Sequence, residues 1–195
     1  MVTLSKIYTK TGDGGMTHIG DSTLVAKNDL RIESVGEVDE LNSVIGLAID
    51  AIPPGSDLKK AMSDIQNDLF DVGADLCRPV ENNEEENKYL RISEGNIKKL
   101  EVIIDSFNKH LKALNSFVLP GGSTEASYLH FARSVCRRAE RSIWALAERE
   151  AINEKIAIYL NRLSDLLFVL ARYANDKGEI DVLWRPGLST TEEGN

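Results

Sequence analysis

The chain has 195 residues, a formal net charge of -8, and 42% hydrophobic and 28% charged residues. That length suits one domain, able to bury about 70% of the surface its unfolded chain would expose. The acidic balance speaks against non-specific nucleic-acid binding, and an aromatic content of 6% leans towards helices and away from a β-sandwich.

Residues 1–30 do not read as helical. Gly12, Gly14, Gly15 and Gly20 punctuate a run rich in Thr and Asp, which predicts turns and a shaped loop. The start, Met1 to Lys6, has no long apolar core behind it, and no apolar run approaches the ~18 residues of a membrane span. A cytoplasmic protein without a membrane or nucleic-acid partner is expected. The two cysteines, Cys77 and Cys136, lack the spacing of a zinc site or a redox pair. They read as packed thiols in a reducing compartment.

Helical periodicity then takes over. Val38, Leu41, Ile45, Ala48 and Ile49 mark a first helix, stopped by Pro53-Pro54-Gly55. Ser56 or Asp57 can cap a second, whose stripe is Leu58, Met62, Ile65, Leu69, Val72 and Leu76. Residues 78–92, with Glu81, Glu84, Glu85 and Glu86, read as a mobile polar loop without chemistry. A third helix starts near Ser93 and carries Ile97, Leu100, Ile104, Phe107 and Leu111. Phe117-Val118-Leu119-Pro120-Gly121-Gly122 breaks the pattern, and Ser123 or Thr124 caps a long fourth helix. A break at Ile152-Asn153 leads to a fifth, ending near Lys177-Gly178, and a frayed tail follows from Leu188. The expected fold is an all-α, five-helix antiparallel bundle of the ferritin-like kind. It forms a single domain: a loop segment over 1–30, the bundle over 34–176 and a tail over 177–195.

Three places can hold chemistry. The fourth helix contains Arg133, Arg137, Arg138, Arg141 and Arg149 but no lysine, and Arg133, Arg137 and Arg141 are spaced to share one face. The apolar set Phe131, Val135, Ala139, Ile143 and Leu146 is expected to lie opposite. A solvated charged face would serve as well with lysine. A planar, always-charged fork suits phosphate or carboxylate. Glu140 and Glu148 lie close enough to pair with these arginines. The second place is Tyr8-Thr9-Lys10-Thr11-Gly12-Asp13-Gly14-Gly15-Met16-Thr17, either a surface turn or a phosphate cradle of backbone N–H groups, hydroxyls and a lysine. It is not a Walker A loop. The third is Tyr159-Leu160-Asn161-Arg162-Leu163-Ser164-Asp165, where Asn161, Asp165 and Phe168 share a face as a buried polar pair or a ligand patch. The histidines are scattered, no di-iron motif is present, and no protein-held metal is expected.

Together these segments resemble the PduO-type ATP:cob(I)alamin adenosyltransferases, from about Lys6 to Ala174. The resemblance rests on the loop at 8–15, Gly-Glu-Val-Asp-Glu-Leu-Asn at 36–42 and Phe-Val-Leu-Pro-Gly-Gly at 117–122. It continues through Arg-Ser-Val-Cys-Arg-Arg-Ala-Glu-Arg at 133–141 and Tyr-Leu-Asn-Arg-Leu-Ser-Asp at 159–165. It implies a five-helix bundle that assembles as a homotrimer, with ATP and Mg²⁺ bound between subunits and cob(I)alamin as the second substrate. It assigns Thr9, Lys10, Thr11, Gly12, Thr17 and Lys27 to the nucleotide, with His18 beside them, and adds Arg137, Arg138, Glu140, Arg141 and Asn161. Asp39 and Arg133 are implied as a structural ion pair beside the corrin, and Phe117 and Phe168 as aromatics at its ring. Catalysis is assigned to Arg137, Phe117, Asp39 and Arg133. The match weakens over 178–195, where Trp184 is the aromatic candidate. A reductase and an adenosylcobalamin-dependent enzyme are the implied protein partners, and a corrinoid carrier on the same fold is the competing reading.

Overall fold

Short polar side chains set the helix starts. Asp29 accepts the Arg31 N–H and opens α1 (Leu30–Ala51), and Ser56 accepts from Leu58 N and opens α2 (Asp57–Cys77). Asn96 Oδ1 accepts from both N and Oγ of Ser93 at the start of α3 (Glu94–Asn108). Ser123 accepts from Ala126 N and opens α4 (Thr124–Ala147). Each cap satisfies an otherwise orphaned N–H and contributes about 1 kcal/mol. After Asn153, α5 (Lys155–Ala174) runs to Asn175, and a 3-10 turn follows at Asp176–Gly178. The computed structural model describes residues 7–86 and 88–189. The expected leader-free start at 1–6 and most of the expected frayed tail lie outside those residues.

The packing is built around α4 and α5. Helix α1 lies against α2 and α4, α4 against α5, and α3 against α5. Covered by both α3 and α4, α5 buries Ile156, Tyr159, Leu160, Leu163, Leu166, Leu167 and Leu170. Leu129, Ala132, Cys136, Ala139 and Ile143 of α4 pack on this side, and Leu41 and Ile45 of α1 belong to the same core. The small residues Ala132 and Ala139 let the central helices approach, which native packing density requires. The Tyr159 hydroxyl finds a buried partner, donating to Asp68 Oδ2 at 3.3 Å. Burial raises the pKa of both groups. The Cys136 thiol donates to Leu160 O at 3.2 Å, and burial keeps it protonated. No helix among the described residues is long and apolar enough to cross a membrane.

Two expectations are corrected. The chain is not purely helical, because the N-terminal loop contains a two-stranded antiparallel sheet, β1 (Met16–His18) on β2 (Leu24–Ala26), with Thr17 opposite Val25. Positive φ at Gly15 and Ser22 gives the loop its turns, and Val25 and Thr17 suit paired strands. Within residues 78–86 and 88–92 the segment is anchored. Asp75 accepts from Arg91 Nη1 at 2.7 Å, Ile92 N at 2.7 Å and Asn153 Nδ2 at 2.8 Å. Arg91 also grips Glu84 at 2.6 Å and holds its carboxyl down to about 2. Within the apolar set of α4, Val135, Ala139, Ile143 and Leu146 are buried, whereas Phe131 is 50% exposed.

Candidate functional site

The N-terminal loop is a shaped, polar surface. Thr9 and Thr11 bring their hydroxyls within 2.8 Å of each other. Between them Lys10 takes a positive φ of 62°, so its neighbours turn back on themselves. The β-hairpin returns Lys27 to the loop, where its N–H donates to Gly15 O at 2.8 Å. A Cβ on Gly12 would lie 2.9 Å from Lys27 Nζ, so the glycine makes room for the ammonium. Thr17 is half-buried within β1, and His18 is exposed at its end. The loop is fastened to α2, since Gly20 N donates to Cys77 O at 2.7 Å and Arg78 Nη2 to Gly20 O at 2.5 Å. Arg78 in turn stacks 4.0 Å from the Tyr89 ring centroid. Two cations, two hydroxyls and glycine-rich backbone thus share one exposed edge, a donor set suited to a polyanion.

Helix α4 distributes its arginines over more than one duty. Arg137 and Arg141 are exposed, and Arg141 Nη1 donates to Arg137 O at 2.9 Å, which leaves most of both forks facing outward. Arg138 turns to α1, bonding Glu40 and lying 3.9 Å from Glu37 Oε1. Desolvation raises the pKa of the Glu37 carboxyl despite Arg138. Among the described residues Glu140 forms no ion pair with an arginine. It accepts from Asn161 Nδ2 at 3.2 Å, so these two expected contact residues form one unit across the α4–α5 seam.

One turn back, the chemistry changes from cationic to aromatic. The Arg133 guanidinium stands 5.9 Å from the Phe168 ring centroid, a cation–π geometry. His130 approaches the same ring edge-on at 6.1 Å. His130 is 1% exposed, and among the described residues its two ring nitrogens and Arg133 Nε have no hydrogen-bond partner. Burial, with the neighbouring Arg133 charge, lowers the His130 pKa; burial and then Arg137 lower that of Arg133. Asp39, exposed on α1, makes no ion pair with Arg133 within the chain among the described residues.

Phe117 is 77% exposed, its ring 6.0 Å from that of Trp184 and tilted by 57°. The backbone pairs them: Trp184 N donates to Phe117 O at 2.7 Å, Leu119 N donates to Val182 O at 2.8 Å, and Val118 bridges Leu183. A cavity of about 1040 Å³ opens beside this pairing, lined in part by Ser116, Leu119, Leu183 and Trp184. The sequence offered Trp184 as an aromatic candidate, but neither the pairing of the 181–184 strap with 117–119 nor the anchor Asn175 could be read from it. Pairing between segments so far apart leaves no periodic signal, although paired glycines after Pro120 hint at a close approach.

A cation-bearing loop edge, an outward-facing arginine row and exposed aromatics thus share one helical scaffold. The family model described as cobalamin adenosyltransferase matches residues 7–174, and the chain belongs to that family. A corrinoid adenosyltransferase of Mycobacterium leprae is 49% identical over 188 residues, 94% of this chain and 97% of its own length. The Bacillus subtilis corrinoid adenosyltransferase is 44% identical over 179 residues, covering 90% of this chain and 89% of that protein. Among solved structures, a variant PduO-type ATP:corrinoid adenosyltransferase from Lactobacillus reuteri, complexed with cobalamin and ATP, superimposes with a TM-score of 0.85. It is 41% identical, covering 93% of this chain and 97% of that one.

Proposed function

We propose that this chain transfers the 5′-deoxyadenosyl group of ATP to Co(I) of cob(I)alamin, releasing triphosphate. The observation that carries the reading is the α4–α5 seam. There the arginine row suited to a polyanion runs into Arg133 and the Phe168 ring, 5.9 Å apart, suited to a flat apolar macrocycle. ATP and a corrin need those two surfaces side by side.

Thr9, Lys10, Thr11, Gly12, Thr17 and Lys27 hold the triphosphate, with His18 at the margin of the loop. Arg137, Arg138, Arg141 and the Glu140–Asn161 unit complete the nucleotide site. Cobalt(I) supplies an electron pair to C5′, the Co–C bond forms, and the C5′–O bond breaks with its pair passing to the triphosphate oxygen. Fixed cations and N–H donors that meet this growing charge lower the barrier. Holding carbon and cobalt in line supplies a further part. Magnesium fits as a companion of the phosphates and not as a protein-caged ion. Among the described residues no group of three or more His, Cys, Asp or Glu is placed to hold a metal. Mg²⁺ usually keeps phosphate and water ligands and takes few from protein. Thr9, Thr11, Thr17, Glu140 and Asn161 are the residues of the nucleotide set with side-chain oxygens to offer, and bound Mg²⁺ would supply additional charge neutralisation.

The loop's anchors lie on α2, while the arginines lie on α4, so one chain presents two halves of a site. A cytoplasmic homotrimer joins the loop of one subunit to the α4 of the next. The same assembly offers Arg133, short of a partner at Nε, the exposed Asp39 of a neighbour as its ion-pair partner. A reductase supplies Co(I), and an adenosylcobalamin-dependent enzyme receives the product.

An anaerobic assay with ATP and chemically reduced cob(I)alamin tests the reaction. Loss of the Co(I) absorbance with formation of adenosylcobalamin and triphosphate, dependent on protein and ATP, is the expected result. Binding of both substrates without product would overturn it in favour of a carrier.

A further inference from the structure

Arg172, Asn175 and Asp181 form a buried polar knot that no step of the proposed reaction uses. Asn175 is 1% exposed and sits just past α5. Its Oδ1 accepts from Ser123 N at 3.0 Å, and its Nδ2 donates to Gly121 O at 3.0 Å and to Asp181 Oδ1 at 3.1 Å. The other Asp181 oxygen accepts from Arg172 Nε at 2.8 Å, and Arg172 Nη2 donates to Lys112 O at 3.0 Å. Gly122 is required at this point: its φ is 105°, and a Cβ there would lie 2.1 Å from Asn175 Oδ1. The knot therefore joins the end of α5, the Pro-Gly-Gly turn, the start of α4 and the first residue of the strap.

Two backbone segments leave the knot together. Residues 117–119 and 182–184 pair directly, and Ser116 Oγ adds a bond to Trp184 O at 2.8 Å. The rings at their far end, Phe117 and Trp184, are 77% and 45% exposed. Buried, fully partnered polar groups rigidify what they hold, whereas large aromatics left in water mark a contact surface. A network that only stabilised the end of the bundle would have no reason to hold two aromatic rings out of the core.

We propose that Asn175 and Asp181 are positioning residues. They hold Phe117 and Trp184 as one rigid aromatic floor for the lower face of the corrin, where an apolar surface excludes water and the displaced axial base. The proposal rests on the adenosyltransferase reading above. A floor that drifts by an ångström readmits a lower ligand to cobalt and makes Co(II) harder to reduce.

The test uses the full chain with Asn175→Ala and, separately, Asp181→Asn, each in a Trp144→Phe background so that Trp184 is the remaining one of two indoles. Three quantities are read: ATP affinity, acrylamide quenching of Trp184 without cobalamin, and the spectrum of cob(II)alamin bound with ATP. Turnover is followed from cob(II)alamin with a reductant and from pre-reduced cob(I)alamin. ATP affinity should stay within about twofold, Trp184 should become more quenchable, and cob(II)alamin freed of its lower ligand should fall about tenfold with a matching loss of Co(II)-dependent turnover. Turnover from cob(I)alamin should change far less. Wild-type spectra and turnover in both variants would make the knot a purely structural element and overturn the proposal, as would failure of both variants to fold. Asp181→Asn keeps the side-chain volume and decides the matter if Asn175→Ala alone is unfolded. Wild-type protein that binds no cobalamin would instead refute the function, while the quenching result still reports on the knot.

Discussion

The two flanks of the proposed site are built on opposite plans. On the nucleotide side, Arg137 and Arg141 are exposed, with Arg141 bonded back to the Arg137 carbonyl of its own helix, and Lys10 projects from a loop at a positive φ. On the corrin side, Phe117 and Trp184 hang from backbone pairing that ends in the buried Asn175–Asp181 knot. Phosphate is a charged, strongly directional ligand that can itself organise exposed forks. A flat apolar ring offers few directional contacts, so its platform has to be rigid beforehand. Function should therefore be separable from stability on the first flank and coupled to it on the second.

The largest effect expected follows from Arg137→Lys. A point charge cannot reproduce the bidentate fork, and kcat should fall ~10²-fold or more with an unchanged melting temperature. A matching loss of stability would break the contrast between the flanks. Next, Phe117→Ala should leave ATP affinity intact while lowering Co(II)-dependent turnover ~10–100-fold, seen in steady-state assays with a reductant. Gly122→Ala sharpens the coupling on the same side. Its Cβ would collide with Asn175 at 2.1 Å in a backbone conformation unsuited to alanine, so urea unfolding should show a loss of about 2 kcal/mol together with impaired turnover.

A smaller change is expected from Ser123→Ala. It removes the acceptor for Ala126 N and should cost about 1 kcal/mol in the same unfolding experiment. The smallest effect concerns His130, whose imidazole is held neutral below its ordinary pKa of 6.5, first by burial and then by Arg133. Arg133 on its own helix, Asp181 of the strap and the Phe168 ring of α5 are the groups that bear on it. As pH falls through 6.5 the unfolded chain takes up this proton before the folded one, so stability declines until the folded-state histidine is protonated too. His130→Gln should remove that component, read as the difference between melting temperature–pH curves of variant and wild type.

Most of the helical scaffold was legible in the sequence, for identifiable reasons. The stripe of α2 carries an unbroken helical period, and Ser56, Ser93 and Ser123 announce their helices. The β1–β2 hairpin was not legible, because three-residue strands inside a glycine-rich loop are too short to show alternation. Nor was the anchoring of Glu84 and Arg91, where acidic composition suggested solvation while Glu84 and Asp75 are tied to Arg91. At the site, spacing identified the arginine row but not that Arg138 turns to Glu40. It also could not supply Asn175, whose importance comes from three segments that meet only in the folded chain.

The division of labour between the flanks is tested most directly by assaying Arg137→Lys and Phe117→Ala side by side, once with pre-reduced cob(I)alamin and once with cob(II)alamin and a reductant. Arg137→Lys should be slow in both assays, because stabilisation of the leaving triphosphate is needed in each. Phe117→Ala should be close to wild type with cob(I)alamin and impaired only when Co(II) must be reduced in the site. Equal losses for Phe117→Ala in the two assays, or normal Arg137→Lys kinetics, would contradict the account.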